Sequence, residues 1–253
     1  MNISAVSIEQ IAIEAGQAIL EVYNNEKLFA QIDTKADDSP LTLADQRSHN
    51  VIMKRLKDLH PEIPIISEEG KHLPYEDRKD YELFWLVDPL DGTKEFIRRN
   101  GEFTVNIALI DGKYPIGGVI YVPVTNVLYS AFNGKAYKTE NGITQQIEVS
   151  RSKENRIAVR SRSHASEEEE SVLKSYHVSQ DISRGSSLKF CAVAEGSADL
   201  YYRHGPTMEW DTAAGQAILE AAGGRIYREN MENERFYYNK ENLLNPGFLC
   251  LGF

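Results

Sequence analysis

Cysteine is scarce in this sequence, and long apolar runs are missing from it. The two cysteines, Cys191 and Cys250, lie far apart inside apolar segments, so we expect no disulfide framework and a reducing, cytoplasmic setting. No stretch approaches the roughly 18 apolar residues that a helix needs to cross a bilayer. The first ten residues lack the basic segment of a secretory signal, and we expect no signal peptide.

Strongly basic stretches are missing as well. The formal net charge is −10, which opposes a nucleic-acid polymer as partner. A small anionic ligand is compatible with this charge because bound cations invert the local field, and so is peripheral attachment at the inner face of the cell membrane. Nothing indicates an obligate protein partner. With 253 residues, 42% of them hydrophobic, the chain can bury the core of one large domain or of two lobes.

The pattern of apolar residues predicts a mixed α/β (α+β) fold. Helical spacing predicts a first helix from Ile8 to Val22, and a second helix follows Thr42. Three β-rich runs between residues 104 and 132 predict an antiparallel meander. The polar stretch 141–155 suggests a boundary between an N-terminal lobe, residues 1–150, and a C-terminal lobe, residues 151–253. Beyond it we expect helices at Ser166–Tyr176, Ser187–Ala194 and Asp211–Ala222, and strands at Ile157–Val159, Ala198–Tyr202, Arg225–Arg228 and Phe248–Leu251.

Two carboxylates, Asp88 and Asp91, flank a Pro-Leu pair directly after an apolar run. Phe84–Val87 predict a strand, and Pro89 and Gly92 are turn formers. In a straight strand, residues three apart face opposite sides, whereas across a turn both carboxylates can converge on one point. The pair therefore indicates either a metal clamp or two Asp residues that merely cap a turn.

Further acidic residues lie at other predicted element ends. Glu68 and Glu69 follow an apolar run, and Asp211 opens a helix, where an N-cap Asp is worth ~1 kcal/mol. Asp45 lies three residues after Thr42, as in a capping box. Local structure explains each acid alone, but acids at four element ends together suit a cation that prefers oxygen ligands, such as Mg2+. The six histidines show no close ligand spacing, which disfavours a zinc site.

Several motifs resemble those of the inositol monophosphatase superfamily of magnesium-dependent, lithium-sensitive phosphatases. They are Glu68-Glu69, residues 88–93 (Asp-Pro-Leu-Asp-Gly-Thr) and residues 210–215 (Trp-Asp-Thr-Ala-Ala-Gly). A closer resemblance, to the bacterial 3'(2'),5'-bisphosphate nucleotidases of that superfamily, is carried by residues 91–96, 100–109, 161–164 and 185–191. The resemblance implies a two-lobed sugar-phosphatase fold, in which helix and sheet layers alternate and the site lies between the lobes.

The resemblance also implies roles for individual residues. Thr93 would orient the attacking water, with Asp45 as the activating base. The backbone N–H groups of Gly92 and Thr93 would hold the scissile phosphate. Lys35 and Glu69 would contact the residues that bind the metal without binding it themselves. Li+ is expected to inhibit. The implied ligands of two to three Mg2+ ions are Glu68, Asp88, the Leu90 carbonyl, Asp91 and Asp211, and all of these except Asp88 are also implied substrate contacts.

Residues 185–189 (Gly-Ser-Ser-Leu-Lys) suit a second phosphate. They place two hydroxyls, a helix N-terminus and the Lys189 ammonium together. The alternative is that Ser186 and Ser187 cap a helix and Lys189 lies on a solvated face.

The implied reaction is hydrolysis of adenosine 3',5'-bisphosphate to AMP and phosphate, and also of its sulfated analogue PAPS to APS, in sulfate assimilation. An inositol or sugar monophosphatase on the same scaffold is the nearest alternative, and the segment suited to a second phosphate argues against it. A phosphatase of the haloacid dehalogenase type needs two acids two residues apart, whereas Asp88 and Asp91 are three apart. The third class is a non-enzymatic metal or nucleotide sensor, which would bind its ligand without turnover.

Overall fold

The computed structural model describes residues 3–30, 32–34, 40–71, 73–152, 154–161, 167–229 and 231–253. Lys35 and Ser166 lie outside the described residues. The helices are α1 Ala5–Tyr23, α2 Glu26–Phe29, α3 Leu43–Leu59, α4 Tyr75–Arg78, α5 Thr93–Ile97, α6 Glu167–Ser175, α7 Leu188–Ala194 and α8 Glu209–Ala221. The strands are β1 Ile32–Thr34, β2 Pro40–Thr42, β3 Ile65–Ser67, β4 Leu83–Asp91, β5 Thr104–Asp111, β6 Tyr114–Val122, β7 Val127–Phe132, β8 Lys135–Glu140, β9 Ile143–Gln146, β10 Arg156–Arg160, β11 Val178–Ser183, β12 Leu200–Arg203, β13 Thr207–Met208, β14 Arg225–Arg228, β15 Met231–Arg235, β16 Leu244–Asn245 and β17 Phe248–Leu251.

The larger sheet has seven strands in chain order, from β3 to β9. β3 and β4 are parallel, and each later neighbour pair is antiparallel, which confirms the predicted meander. The sequence interpretation did not include β8 and β9. All four residues of β9 are exposed, so no apolar alternation marks it as a strand, and its residues fall within the polar stretch 141–155 that we predict between the lobes.

Both faces of this sheet are covered by helices. Trp85 and Val87 of β4 pack into a core with α1 and α3, while Phe84 and Leu86 pack into a second core with α7 and α8. A strand that is buried on both faces has a continuous apolar sequence. This explains why residues 84–87 are all apolar.

The second sheet has six strands in the order β11-β10-β12-β17-β14-β15. Helices α7 and α8 lie between the two sheets, and α6 covers the far side of the second sheet. Helix and sheet layers therefore alternate, as the resemblance implied. β9 ends at Gln146 and β10 begins at Arg156, while the lobe boundary at residue 150 stays a prediction.

The predicted turn at Pro89 and Leu90 is wrong, because β4 continues to Asp91. Asp88 pairs with Asn106 of β5 and Asp91 pairs with Thr104, so β4 advances three residues where β5 advances two. The extra residue forms a β-bulge. Because positions 104 and 106 lie on one face of β5, the two carboxylates also face one side of the sheet. The predicted convergence is thus produced by a bulge.

Helix α8 approaches the first sheet closely. A Cβ atom added at Gly118 of β6 would lie 2.9 Å from the Cα atom of Ala214, so glycine is required there. The start of α8 differs from the prediction, because Met208 is the N-cap and Asp211 lies at the third helical position. None of the helices in the described ranges combines the length and apolar character that a membrane crossing requires.

Candidate functional site

Four acidic residues come together where β3, the bulge of β4 and the first turn of α8 meet. Asp88 is 2% exposed. Burial raises its pKa well above the usual range, and the charges of Glu68, Asp91 and Asp211 raise it further. Asp88 and Glu68 also share a side-chain hydrogen bond. We call Glu68, Asp88, Asp91 and Asp211 the acidic centre.

The pKa values of Asp211 and Asp91 are shifted in the same direction. Burial and the charge of Asp91 raise the pKa of Asp211 well above its usual range, although the Met208 N–H and Arg203 lower it. Burial raises the pKa of Asp91 despite its hydrogen bonds. Buried carboxylates that disfavour one another's charge are stabilised by a cation, and Mg2+ prefers such oxygen ligands. The donor set therefore fits the implied metal.

Each carboxylate of the bulge and of α8 accepts a hydrogen bond from the protein. The Leu90 N–H lies 3.0 Å from Asp88 Oδ1, and the Met208 N–H lies 2.8 Å from Asp211 Oδ2. In the described part of the chain, no three acidic, histidine or cysteine side chains are already arranged around one metal position.

Asp91 joins the acidic centre to residues 185–189. Its Oδ2 accepts hydrogen bonds from Ser186 Oγ at 2.5 Å, from the Ser187 N–H at 2.6 Å and from Asn106 Nδ2 at 3.4 Å. The Ser187 hydroxyl lies 2.8 Å from Thr104 Oγ1. Ser187 is the N-cap of α7, but its hydroxyl makes no capping hydrogen bond. The alternative in which both serines cap a helix is therefore wrong.

Lys189 is buried beneath this segment and not on a solvated face. Its ammonium donates to the carbonyl oxygens of Ser186 at 2.6 Å and Arg184 at 3.4 Å, and it lies 5.4 Å from the centre of the Tyr201 ring. Burial lowers the pKa of Lys189 to about 8, and the charge of Asp91 opposes that shift. The ammonium adds positive charge next to the acidic centre.

A cavity of about 190 Å³ connects these groups. Asp91 and Asp211 line one part of it, and Ser186, Lys189 and Arg203 line another. A larger cavity of about 410 Å³ lies elsewhere, between residues 228 and 246. Volume alone does not identify the site, because the convergence of carboxylates and cations is found at the smaller cavity. The sequence interpretation missed Arg203, which lies one residue beyond the strand predicted at Ala198–Tyr202.

The predicted catalytic residues lie on separate elements, Asp45 on α3 and Thr93 on α5. The Asp45 carboxylate accepts the Thr42 N–H at 2.7 Å and the Thr42 hydroxyl at 2.6 Å, which confirms the capping box. Thr93 is the first residue of α5, after Gly92 with φ of 88°, and α5 packs beside β2, which ends at Thr42. Among the described contacts none joins Thr93 directly to Asp45, and their catalytic pairing stays a prediction. Glu69 lies next to Glu68, in the turn that follows β3.

Helix α3 contributes two contacts that sequence reasoning missed. The Ser48 hydroxyl donates to the Pro89 carbonyl at 2.7 Å, and His49 Nδ1 lies 3.0 Å from Ser67 Oγ. Ser48 is fully buried, as is Ile52 one turn later. A small polar residue on the apolar face of a predicted amphipathic helix was the signal available for Ser48.

Three comparisons with known proteins agree with one another. The inositol monophosphatase family model matches residues 2–247. The chain is 52% identical over 239 residues to the 3'(2'),5'-bisphosphate nucleotidase CysQ of Escherichia coli. The aligned region covers 94% of this chain and 96% of that protein. It is 44% identical over 241 residues to CysQ of Buchnera aphidicola, covering 94% and 90%. The crystal structure of CysQ from Bacteroides thetaiotaomicron superposes with a TM-score of 0.86 at 43% identity, covering 98% of this chain and 96% of that one.

Proposed function

The chain belongs to the inositol monophosphatase family, and from this premise we propose that it is a 3'(2'),5'-bisphosphate nucleotidase that hydrolyses adenosine 3',5'-bisphosphate to AMP and phosphate. The observation that carries the proposal is the contact of Asp91 with Ser186 and Ser187. This contact places two kinds of group around one cavity. Asp91 and Asp211 of the acidic centre, which are suited to cations, line one side, and the buried ammonium of Lys189 lies on the other. Such a cavity suits a substrate with two phosphates.

The cofactor in this proposal is Mg2+, as two to three ions. Glu68, Asp88, Asp91, Asp211 and the Leu90 carbonyl would hold it, and Li+ would inhibit. When bound, Mg2+ neutralises charge on the phosphate and lowers the pKa of a bound water. The raised pKa values of Asp88 and Asp211 support this assignment, because their carboxylates have a surplus of negative neighbours.

The remaining steps belong to residues of the chain. Thr93 would orient the attacking water through its hydroxyl, with Asp45 accepting the hydroxyl proton. The N–H groups of Gly92 and Thr93, at the start of α5, would hold the oxygens of the scissile phosphate. The Lys189 ammonium would contact the second phosphate, and its hydrogen bonds to the carbonyl oxygens of residues 184 and 186 would hold the segment in place. The Ser186 and Ser187 segment would then present its groups to the second phosphate.

The proposed role of Thr93 is tested by Thr93→Ala. The hydroxyl acts on the nucleophile and contributes little to ground-state binding, so kcat should fall far more than KM rises. Asp45→Asn is the companion variant. If Asp45 serves only in the capping box, the Asp45→Asn variant should lose about 1 kcal/mol of stability at most and keep the wild-type kcat. An unchanged kcat in Thr93→Ala would remove that residue from the mechanism.

The substrate is tested by a phosphate-release panel of adenosine 3',5'-bisphosphate, AMP and inositol phosphate, each with Mg2+ and with excess EDTA. Lys189→Ala should lower kcat/KM for the bisphosphate by roughly 10–100-fold, because a contact involving a charged group is worth ~1.5–3 kcal/mol. For a substrate with one phosphate, kcat/KM of Lys189→Ala should fall little. Lys135→Ala, at an exposed position of β8, is the control. Equal losses on both substrates would mean that Lys189 supports the fold or the acidic centre instead.

The other functions have less support. Inositol or sugar monophosphatase activity is not favoured, because relatives at 52% identity over most of the chain are bisphosphate nucleotidases by name. A sensor would bind the nucleotide in this panel without releasing phosphate. Activity on PAPS, a role in sulfate assimilation and a cytoplasmic location, with attachment at the inner face of the membrane, remain parts of the proposal. So does the division into a metal-binding lobe, residues 1–150, and a substrate lobe, residues 151–253.

A further inference from the structure

The first turn of α8 carries a second carboxylate, the buried Glu209, two residues before Asp211. Glu209 is 0% exposed. Its carboxylate accepts the Asn239 N–H at 2.8 Å, the Lys240 N–H at 2.9 Å and the Lys240 ammonium at 2.6 Å. Residues two apart on a helix point in directions that differ by about 200°. Glu209 therefore faces residues 239 and 240 on one side of the first turn, while Asp211 faces the acidic centre on the other side.

Other groups fix the same turn. The Lys240 ammonium also donates to Asn245 Oδ1 at 2.9 Å, and Asn245 Nδ2 donates to the Met208 carbonyl at 2.7 Å. The Glu209 N–H donates to the Leu243 carbonyl at 2.9 Å. The backbone just before α8 is thus attached to residues 239–245 from several directions, and Glu209 is the charged group in this set on the helix itself.

The network continues to the connection between β3 and β4. Arg78 of α4 is buried, and it donates to Asn239 Oδ1 at 2.8 Å and to the Glu241 carbonyl at 2.9 Å. Asn239 Nδ2 donates back to the Arg78 carbonyl at 2.9 Å. Since α4 lies between Glu68 and Asp88 in the chain, these bonds join the segment that carries two acids of the centre to the helix that carries Asp211.

A buried ion pair often contributes less stability than apolar side chains of the same size would. It does impose a defined geometry, because each charged group is costly to leave without its partner. We propose that Glu209 is a positioning residue: with Lys240, Asn239 and Arg78 it fixes the first turn of α8 and thereby the place of Asp211 in the acidic centre. This inference rests on the proposed function, since it requires Asp211 to bind a cation.

The test compares Glu209→Gln with Glu220→Gln in the full-length protein. Glu220 lies near the other end of α8 and pairs with Arg235, so its variant also removes an ion pair from the helix. Calorimetric titration with Mg2+, well below the unfolding temperature, should give a dissociation constant ~10–100-fold weaker for Glu209→Gln, the usual effect of losing a group that orients a metal ligand. Glu220→Gln should match wild type. At saturating Mg2+, kcat of Glu209→Gln should return close to the wild-type value.

Hydrogen exchange of the metal-free proteins gives a readout independent of Mg2+. Amides of residues 207–213 should exchange faster in Glu209→Gln than in Glu220→Gln. If Glu209→Gln does not fold, Asn245→Leu applies the same test, since it removes the bond to the Met208 carbonyl. Unchanged Mg2+ affinity in the folded variant, with a lowered unfolding temperature, would overturn the positioning role. Wild type that binds no Mg2+ would overturn the proposed function instead, so the two failures are distinct.

Discussion

Two carboxylates on one helical turn have opposite surroundings. Asp211 lies among the charges of Glu68, Asp88 and Asp91, whereas Glu209 accepts three hydrogen bonds, one of them from an ammonium. Glu209 is fully buried and Asp211 is partly buried, but this difference does not set their roles. The sign of the neighbouring charges sets them apart. We call a carboxylate whose neighbours are cations and N–H groups a structural tie, because it joins two segments of the chain. A carboxylate surrounded by like charges is suited instead to an added cation.

Asp211→Asn should have the largest effect on turnover. Loss of groups that merely orient a metal ligand costs ~10–100-fold, so loss of a ligand should cost more than ~100-fold in kcat/KM. The unfolding temperature of the metal-free variant should not fall, because Asn can still accept the Met208 N–H and one repelling charge is gone. Phosphate release and thermal unfolding in EDTA measure the two effects. Wild-type activity, or a clear loss of stability, would make Asp211 a structural tie like Glu209.

Lys240→Met should have the largest effect on stability. It leaves the Glu209 carboxylate buried without its cation, which costs ~3–5 kcal/mol when one partner of a buried pair is removed. Urea unfolding in EDTA measures this loss. Arg235→Met is the matched control, because its ion pair with Glu220 is partly exposed and worth ~0–1 kcal/mol. Similar losses in the two variants would contradict the distinction between a buried tie and a surface pair.

The acidic centre predicts that the metal-free protein is less stable at higher pH. Burial and neighbouring carboxylates raise the folded-state pKa of Asp88 and Asp211, so the folded state holds protons that the unfolded state releases. This contribution to stability is complete below the unfolded pKa of about 4 and is lost as the pH rises through the raised folded pKa. Mg2+ should therefore raise the unfolding temperature more at about pH 8 than at about pH 5. Equal increases would contradict a repulsive centre.

Ser48→Ala should have the smallest effect. It removes a neutral hydrogen bond to the Pro89 carbonyl, worth ~1 kcal/mol. We expect that loss in urea unfolding together with only a small change in Mg2+ affinity, because no charge is altered. Ser130→Ala, a buried serine on β7, is a control for the loss of a hydroxyl far from the bulge. A Mg2+ affinity weakened as much as in Glu209→Gln would mean that the bulge depends on Ser48.

Much of the fold could be predicted from the sequence because it is encoded locally. α1 has a regular helical apolar period, and the strands of the meander and β17 are short apolar, β-rich runs; their positions agree with the structure. The acids of the centre also follow predicted element ends. The bulge of β4 could not be predicted, because it is defined by pairing with β5 and not by the β4 sequence. Asn106 and Lys240 were missed for a similar reason: their partners lie 15 and 31 residues away in the chain.

The bulge in β4 also has a genetic consequence. Pro89 has no N–H to contribute to a ladder, and its carbonyl is bound by Ser48, so the backbone here is partly released from sheet pairing. Loss of a single codon between Asp88 and Asp91 would restore regular pairing and leave both carboxylates on the same face. The shortened protein would retain both acids. The carbonyl oxygen of the one residue left between them would return to the hydrogen-bond ladder of the sheet. One in-frame deletion would thus separate what the side chains contribute from what the main chain contributes.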